Sequence, residues 1–256
     1  MIARRLLLAL VLAVPAASVV AAGFDASVTF ARKAALGLAV SGAVQTVSVE
    51  AGAHVTRGQL LLALDDTPFR AGVEQAEAEV ARQTANRDEA VRDRKQAEEL
   101  YQRTVLSTVE LDNARLKAMR AEAELKEARA RLIQARFALT HSRITAPFDG
   151  WVLEVRTEAG NTVVNTLEAR PLVVLAADGE YLARGRVPGA TLDALTIGQT
   201  VSVSVGGKTH PGRIQALGLE PVSGKTGGDA LYDVAVAFQV PGAPLRTGLA
   251  ARVDLP

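Results

Sequence analysis

Fourteen residues occur twice in this chain: Gly42 to Val55 (GAVQTVSVEAGAHV) aligns without a gap to Gly150 to Val163 (GWVLEVRTEAGNTV). Seven positions are identical, namely Gly42/Gly150, Val44/Val152, Val47/Val155, Glu50/Glu158, Ala51/Ala159, Gly52/Gly160 and Val55/Val163. Composition alone gives roughly one such match. Each copy reads as short β-strands punctuated by glycine and ends in an apolar strand, Leu60 to Leu64 or Leu172 to Leu175. Neither copy can bury its apolar face alone, so the two must pair. Gly42, Gly52, Gly150 and Gly160 are expected at turns or at close strand packing where a Cβ clashes.

Between the copies the chemistry changes. Asp65 to Arg143 holds 30 of the chain's 57 charges, 15 basic and 15 acidic, with Gly72 its one glycine and Pro68 its one proline. Such a stretch reads as long helix, and Thr67-Pro68 supplies a cap followed by proline at the first helical position. From Leu111 to Leu139 apolar residues recur in steps of three and four through Ala114, Ala118, Ala121, Leu125, Ala128, Leu132 and Ala135, a coiled-coil face. The first arm repeats the spacing through Phe69, Val73, Ala76, Val80, Ala90, Ala97 and Tyr101, interrupted by Gln83, Arg87 and Arg94. Near Arg103 to Thr108 the arms separate, where Ser107 caps a new helix and Glu110 completes a capping box. Two helices of about 35 residues, each some 50 Å long, therefore fold back on each other. Their balanced outer charges read as a solvated surface.

After Asp178 come strand-like segments at Glu180 to Val187, Thr200 to Val205, Gly212 to Leu219, Ala230 to Gln239 and Leu249 to Leu255, with a helical turn at Pro188 to Leu195. This is an all-β unit of about 80 residues. The expected fold class is α+β, elongated and multidomain: a split β-sandwich with an inserted helical coiled-coil hairpin, plus a small antiparallel β-barrel. The expected boundaries are a leader at 1–22, an N-terminal strand joining the barrel at 23–40, sandwich halves at 41–66 and 142–177, the hairpin at 67–141 and the barrel at 178–256.

The leader sets the compartment. Arg4 and Arg5, an apolar run from Leu6 to Val14, Pro15 and a small-residue stretch ending Val20-Ala21-Ala22 have the three-part design of a secretory signal, with cleavage expected after Ala22. An uncleaved anchor is the alternative, because the 17 residues from Leu6 to Ala22 reach the lower limit for spanning a bilayer. Either way the leader implies export.

Several chemistries drop out. The net charge of +1 falls to −1 without Arg4 and Arg5, leaving no field to attract nucleic acid. With no cysteine there is no disulfide framework, thiolate metal site or thiol nucleophile. His54, His141 and His210 are isolated in sequence, so no metal set is expected. Gly207-Lys208-Thr209 and Gly224-Lys225-Thr226 end like phosphate-binding loops but lack the earlier glycine, with Ser202 and Leu219 in its place; polar β-turns are the simpler reading. Asp65-Asp66 fits a helix N-terminus rather than a catalytic carboxylate pair. The expectation is no catalytic, cofactor or metal site, and no enzyme.

The two half-motifs flanking a long α-hairpin resemble the split lipoyl domain of HlyD-like membrane fusion proteins. The likeness continues in Arg57-Gly58-Gln59-Leu60-Leu61, in Leu139 through Gly150 (LTHSRITAPFDG), in Val187-Pro188 through Gly198-Gln199-Thr200-Val201, and in Leu245-Arg246-Thr247-Gly248-Leu249. The resemblance implies a periplasmic adaptor of a tripartite efflux system, several copies of which form a sealed conduit. Its implied partners are an inner-membrane transporter, with the resistance-nodulation-division type favoured, and an outer-membrane channel. An adaptor of an ABC-type exporter or a type I secretion system is the alternative. A lipoyl or biotinyl carrier is a reading of another class, and a structural envelope coiled coil a third. Carriers display a modified lysine on the turn between the halves, and no lysine stands at Asp65-Asp66-Thr67-Pro68. Related hairpin tips carry Arg, Leu and Ser at positions one, five and twelve. Here that register falls on Gln96, Leu100 and Ser107, with Arg103 as a substitute polar anchor, so Leu100, Arg103 and Ser107 are the expected partner contacts. Pro256 directly follows the last expected barrel strand, where many adaptors of that type continue into a membrane-proximal domain.

Overall fold

In a computed structural model, residues 23–165, 170–223, 230–242 and 244–255 are described. The leader, and with it the expected cleavage after Ala22, lies outside them, as does Gly224-Lys225-Thr226. The chain forms two compact units: residues 30–178, and 179–256 together with the segment up to Thr29.

The first unit contains β2 (Lys33–Leu36), β3 (Gly42–Val47), β4 (His54–Val55), β5 (Leu60–Leu64), β6 (Arg143–Thr145), β7 (Gly150–Val155), β8 (Thr162–Val163) and β9 (Val173–Ala177). They form two four-stranded sheets, ordered β2-β9-β7-β4 and β6-β5-β3-β8. Each sheet takes strands from both copies of the repeat, so the copies pair as the shared apolar burial demands.

The pairing has a local twofold symmetry. Gly42, the first residue of one copy, lies opposite Val163, the last of the other, while Gly150 lies opposite Val55. The amide of Gly52 donates to the Val152 carbonyl at 2.8 Å, and that of the equivalent Gly160 donates to the Val44 carbonyl, also at 2.8 Å. Ala53→Glu50 (3.1 Å) and Asn161→Glu158 (3.2 Å) close equivalent turns. Leu61, Leu64, Val55, Val152, Val173 and Leu175 are buried in the shared core.

The 23–40 segment does not go to the barrel as a whole. β1 (Gly23–Phe30) pairs with β14 (Ala250–Asp254) in the barrel, whereas β2 pairs with β9 in the sandwich. β2 occupies in its sheet the edge position that β6 holds in the other. The twofold arrangement thus extends upstream of the fourteen matched residues.

Between β5 and β6 run α1 (Thr67–Gln102) and α2 (Thr108–Thr140). They pack against one another through buried Gln83, Ala90 and Ala97 of α1 and buried Leu111, Ala118, Ala121, Leu125 and Ala128 of α2. Asp93–Lys117 (2.7 Å) and Glu77–Arg136 (2.8 Å) tie the helices across the seam, each pair roughly equidistant from the turn, as an antiparallel pair requires. Glu98–Arg115 (3.7 Å) and Arg87–Glu122 (3.9 Å) add looser links.

The second unit is a closed barrel of order β1-β10-β13-β12-β11-β14, with β10 (Glu180–Pro188), β11 (Thr200–Val205), β12 (Lys208–Ser223) and β13 (Leu231–Gln239). Inward Val234, Val236 and Phe238 alternate with outward Asp233, Ala235 and Ala237 along β13, as a filled barrel interior requires. Short α3 (Gly189–Leu192) follows β10. β12 begins at Lys208, earlier than the sequence suggests, because Gly206 and Gly207 alone make the turn, with φ of +56° and +78°.

Candidate functional site

Two places carry the residues singled out in the sequence: the paired half-motifs and the hairpin tip. In the half-motifs the four glycines divide by mechanism. Gly52 and Gly160 have φ of +89° and +92°, the left-handed region, and nothing lies within 4 Å of an added Cβ. They serve turns by conformation, so the clash is not what requires glycine there. At Gly150 a Cβ meets the Ala176 carbonyl oxygen at 2.1 Å, and at Gly42 it meets Leu64 Cδ1 at 3.0 Å. These two serve close packing, far tighter at Gly150 because its neighbour is backbone.

The junction of sandwich and hairpin is an ion-pair node. The expected Thr67 cap shifts by one residue: the N-cap position is Asp66, whose side chain caps no amide. Instead Asp66 Oδ2 accepts from Arg143 (2.6 Å), at the start of β6, and from Arg70 (2.8 Å), one turn into α1. The Arg143 hydrogen bond, followed by that of Arg70, holds the Asp66 carboxyl below its ordinary pKa. Asp65 is also lowered, through the hydrogen bonds from Thr67, whose amide lies 3.0 Å from Oδ1. Both carboxylates have structural partners, and no lysine stands beside them.

At the far end, the last turn of α1 and the first of α2 are fixed by local hydrogen bonds. Ser107 Oγ donates to Glu110 Oε2 (2.7 Å) and accepts from the Glu110 amide (3.3 Å), and Oε2 also accepts the Ser107 amide (3.0 Å). This is the capping box that the sequence signals. The bond from Ser107 holds the Glu110 carboxyl below its usual range. α1 closes with Thr104→Tyr101 (2.9 Å) and Val105→Leu100 (3.0 Å) backbone bonds, the double closure of a helix ending in a left-handed residue. That residue is Thr104, with φ of +61°, where glycine is usual. Leu100 and Leu106 are half-buried, Arg103 is exposed, and Tyr101, Val105 and Val109 are exposed at 42%, 71% and 69%. The sequence reading missed Thr104, since no glycine or asparagine marks the position.

The histidines sit apart. His54 Nε2 lies 3.2 Å from Asp178 Oδ2, whose Oδ1 accepts from Trp151 Nε1 at 3.0 Å. His141 stacks on Phe137 beyond the end of α2, and His210 lies beside Phe238 in the barrel. Among the described residues no group of three or more His, Asp or Glu is placed to hold a metal ion. None of the described helices is long and apolar enough to cross a membrane.

Comparison with known proteins matches this geometry. A family model described as "RND MFP, barrel-sandwich hybrid domain" covers residues 32–175, from β2 through the hairpin to β9. Multidrug resistance protein MdtA of Erwinia amylovora is 33% identical over 150 residues, covering 59% of this chain and 37% of that protein. Macrolide export protein MacA of Yersinia pestis is 30% identical over 196 residues, covering 71% of this chain and 52% of that protein. The chain thus spans about half the length or less of these curated relatives. Among solved structures, the membrane fusion protein Spr0693 of Streptococcus pneumoniae R6 superposes with a TM-score of 0.72, covering 92% of this chain and 98% of that one at 19% identity. A MacA-MexA chimeric protein carrying the Pseudomonas aeruginosa MexA α-hairpin domain gives 0.64 at 18% identity, and both likenesses show the fold. With the family model spanning more than half of its residues, including both sandwich halves and the helices between them, the chain belongs to the RND MFP family of membrane fusion proteins.

Proposed function

We propose that this protein is a periplasmic adaptor linking an inner-membrane transporter to an outer-membrane channel in a tripartite efflux system. The observation that carries the reading is the insertion of a long helical pair between two halves of one twofold sandwich. A hairpin of that length, about 50 Å at 1.5 Å per residue, carries its tip away from the sandwich core while its base is pinned by Asp66 and Arg143. The names of MdtA and MacA, multidrug resistance and macrolide export, support an export role.

In this reading residues 1–22 direct export, or remain as an anchor, and residues 67–141 act as a coiled-coil hairpin. Its tip, Leu100 to Ser107, meets the channel, and the barrel meets the transporter, with the resistance-nodulation-division type favoured. The work done is assembly rather than catalysis. Exposed apolar side chains on α2 support packing of several copies side by side. Leu116, Met119, Ile133 and Phe137, spread along α2, are 46%, 60%, 69% and 51% exposed. Apolar surface repeated over several turns of one helix is a feature of interaction sites.

The test is crosslinking in the intact envelope followed by affinity purification of the tagged chain. Recovery of an inner-membrane transporter of the resistance-nodulation-division type supports the favoured assignment, and an ABC-type transporter selects the alternative. Recovery of the chain from the cytoplasm with a lipoyl or biotinyl adduct on a lysine contradicts the adaptor reading.

A further inference from the structure

Gly23, the residue after the expected cleavage, stands in the barrel opposite Asp254 of β14, and Phe24 beside it is buried. A Cβ on Gly185 of β10 would lie 2.5 Å from the Phe24 ring, so the second residue of a processed chain is already packed into the barrel. Position 23 has no room for a side chain. A Cβ there meets the Val253 carbonyl oxygen at 2.7 Å, Asp254 Oδ1 at 3.1 Å and Arg252 Nε at 3.5 Å. The Asp254 carboxylate therefore lies over the Gly23 α-carbon. Its Oδ1 also accepts from Arg252 Nε at 3.2 Å, and the Arg252 guanidinium stands 3.9 Å from Asp25. Two carboxylates thus share one guanidinium at the start of β1.

We propose that the first strand of the barrel begins at a processed N-terminus whose charge the barrel uses. Hydrolysis of the Ala22–Gly23 bond consumes one water, leaves a carboxylate on the leader and leaves on Gly23 an α-ammonium that pairs with Asp254. This rests on the export role of residues 1–22 in the adaptor reading above and gives the cut end a place in the fold. With the ammonium present, Asp25 and Asp254 face two cations rather than one, and the cluster is neutral. An α-amine is largely protonated near neutral pH, and a carboxylate over its α-carbon favours that form. The nearest opposing charge is Arg252, which Asp254 and Asp25 already engage. On β10, the other neighbour of β1, the charged residues are Glu180, Arg184 and Arg186, and β11, beyond β14, carries none. Glycine at position 23 leaves no side chain between the new ammonium and its partner.

The experiment uses the chain purified from its own envelope, and its intact mass is expected to start at Gly23. The α-amine is then titrated from pH 6 to pH 9 by its rate of acylation with a limiting active ester, read on the N-terminal peptide. Below pH 7 the wild type is expected to react about threefold more slowly than Asp254→Asn, because the paired ammonium holds its proton. A chain that retains Ala22 keeps every barrel side chain and moves the amine one residue away, so it is expected to react like Asp254→Asn even if that variant folds poorly. Acylation of the wild type as fast as that of the chain retaining Ala22 overturns the pairing. A mature mass that starts elsewhere, or a membrane-held chain that keeps residues 1–22, overturns the processed terminus and leaves the adaptor reading standing. Full-length chain recovered from the cytoplasm overturns both.

Discussion

A Cβ added to Gly150 lands 2.1 Å from a backbone oxygen of the neighbouring strand, whereas one added to Gly52 meets nothing. The two substitutions must therefore fail differently. Gly150→Ala forces β7 away from β9 and is expected to cost about 2–3 kcal/mol, as overpacking does. Gly52→Ala and Gly160→Ala pay for the left-handed backbone alone, about 1 kcal/mol each, and Gly52→Asn costs less because asparagine tolerates that region. Urea unfolding of the four variants checks the order. Thr104 reverses the sign: Thr104→Gly relieves strain and should stabilise by about 1 kcal/mol. The sequence showed that four glycines matter, since they recur in the repeat. It could not say which act by φ and which by contact, because the approach of Ala176 to Gly150 depends on the sheet that both build.

The hairpin is held by small residues and by charges. Ala90 is 1% exposed and clusters with Ala118 and Ala121 across the seam. Ala90→Leu is expected to push the helices apart and to destabilise by about 1–3 kcal/mol, read from the melting of the helical circular-dichroism signal. Carboxylates give the element its pH response. Asp66, Glu79 and Glu110 all lie below their ordinary values, Glu79 down to about 2 through hydrogen bonds from Arg82 and Gln83. A carboxyl lowered by folding stabilises above its unfolded pKa, and that stability is lost as pH falls through the folded value. The melting temperature should accordingly hold near neutrality and fall from about pH 4.5 toward pH 2. Asp66→Asn should remove part of that slope, with a smaller drop between the two pH values than wild type. The Ser107–Glu110 box was legible because capping is local chemistry read over four residues. The Thr67 cap was one position off because Thr67 is itself the first helical residue; Asp66 holds the N-cap position, and its carboxylate is engaged by Arg143, 77 residues away.

At the scale of the molecule, a repeat of fourteen residues dictated the sandwich, because each copy completes the sheets of the other. β2 escaped the reading: Lys33–Leu36 is short, and its role is visible only from its equivalence to β6 in the other sheet. β12 escaped in part, since register shifts near Ile214, Leu217 and Pro221 break the alternation on which a strand is recognised. In the proposed function the twofold sandwich and its hairpin hold two membrane proteins in one assembly. The most direct measurement is a sequential purification from crosslinked intact cells, first through a tag on this chain and then through a tag on the transporter it captures, with the outer-membrane channel quantified in the final fraction. The adaptor assembly requires all three proteins in one complex, with the channel lost when residues 84–122, the outer part of the hairpin, are removed. A transporter complex that contains this chain and no outer-membrane channel, with or without the hairpin, contradicts it.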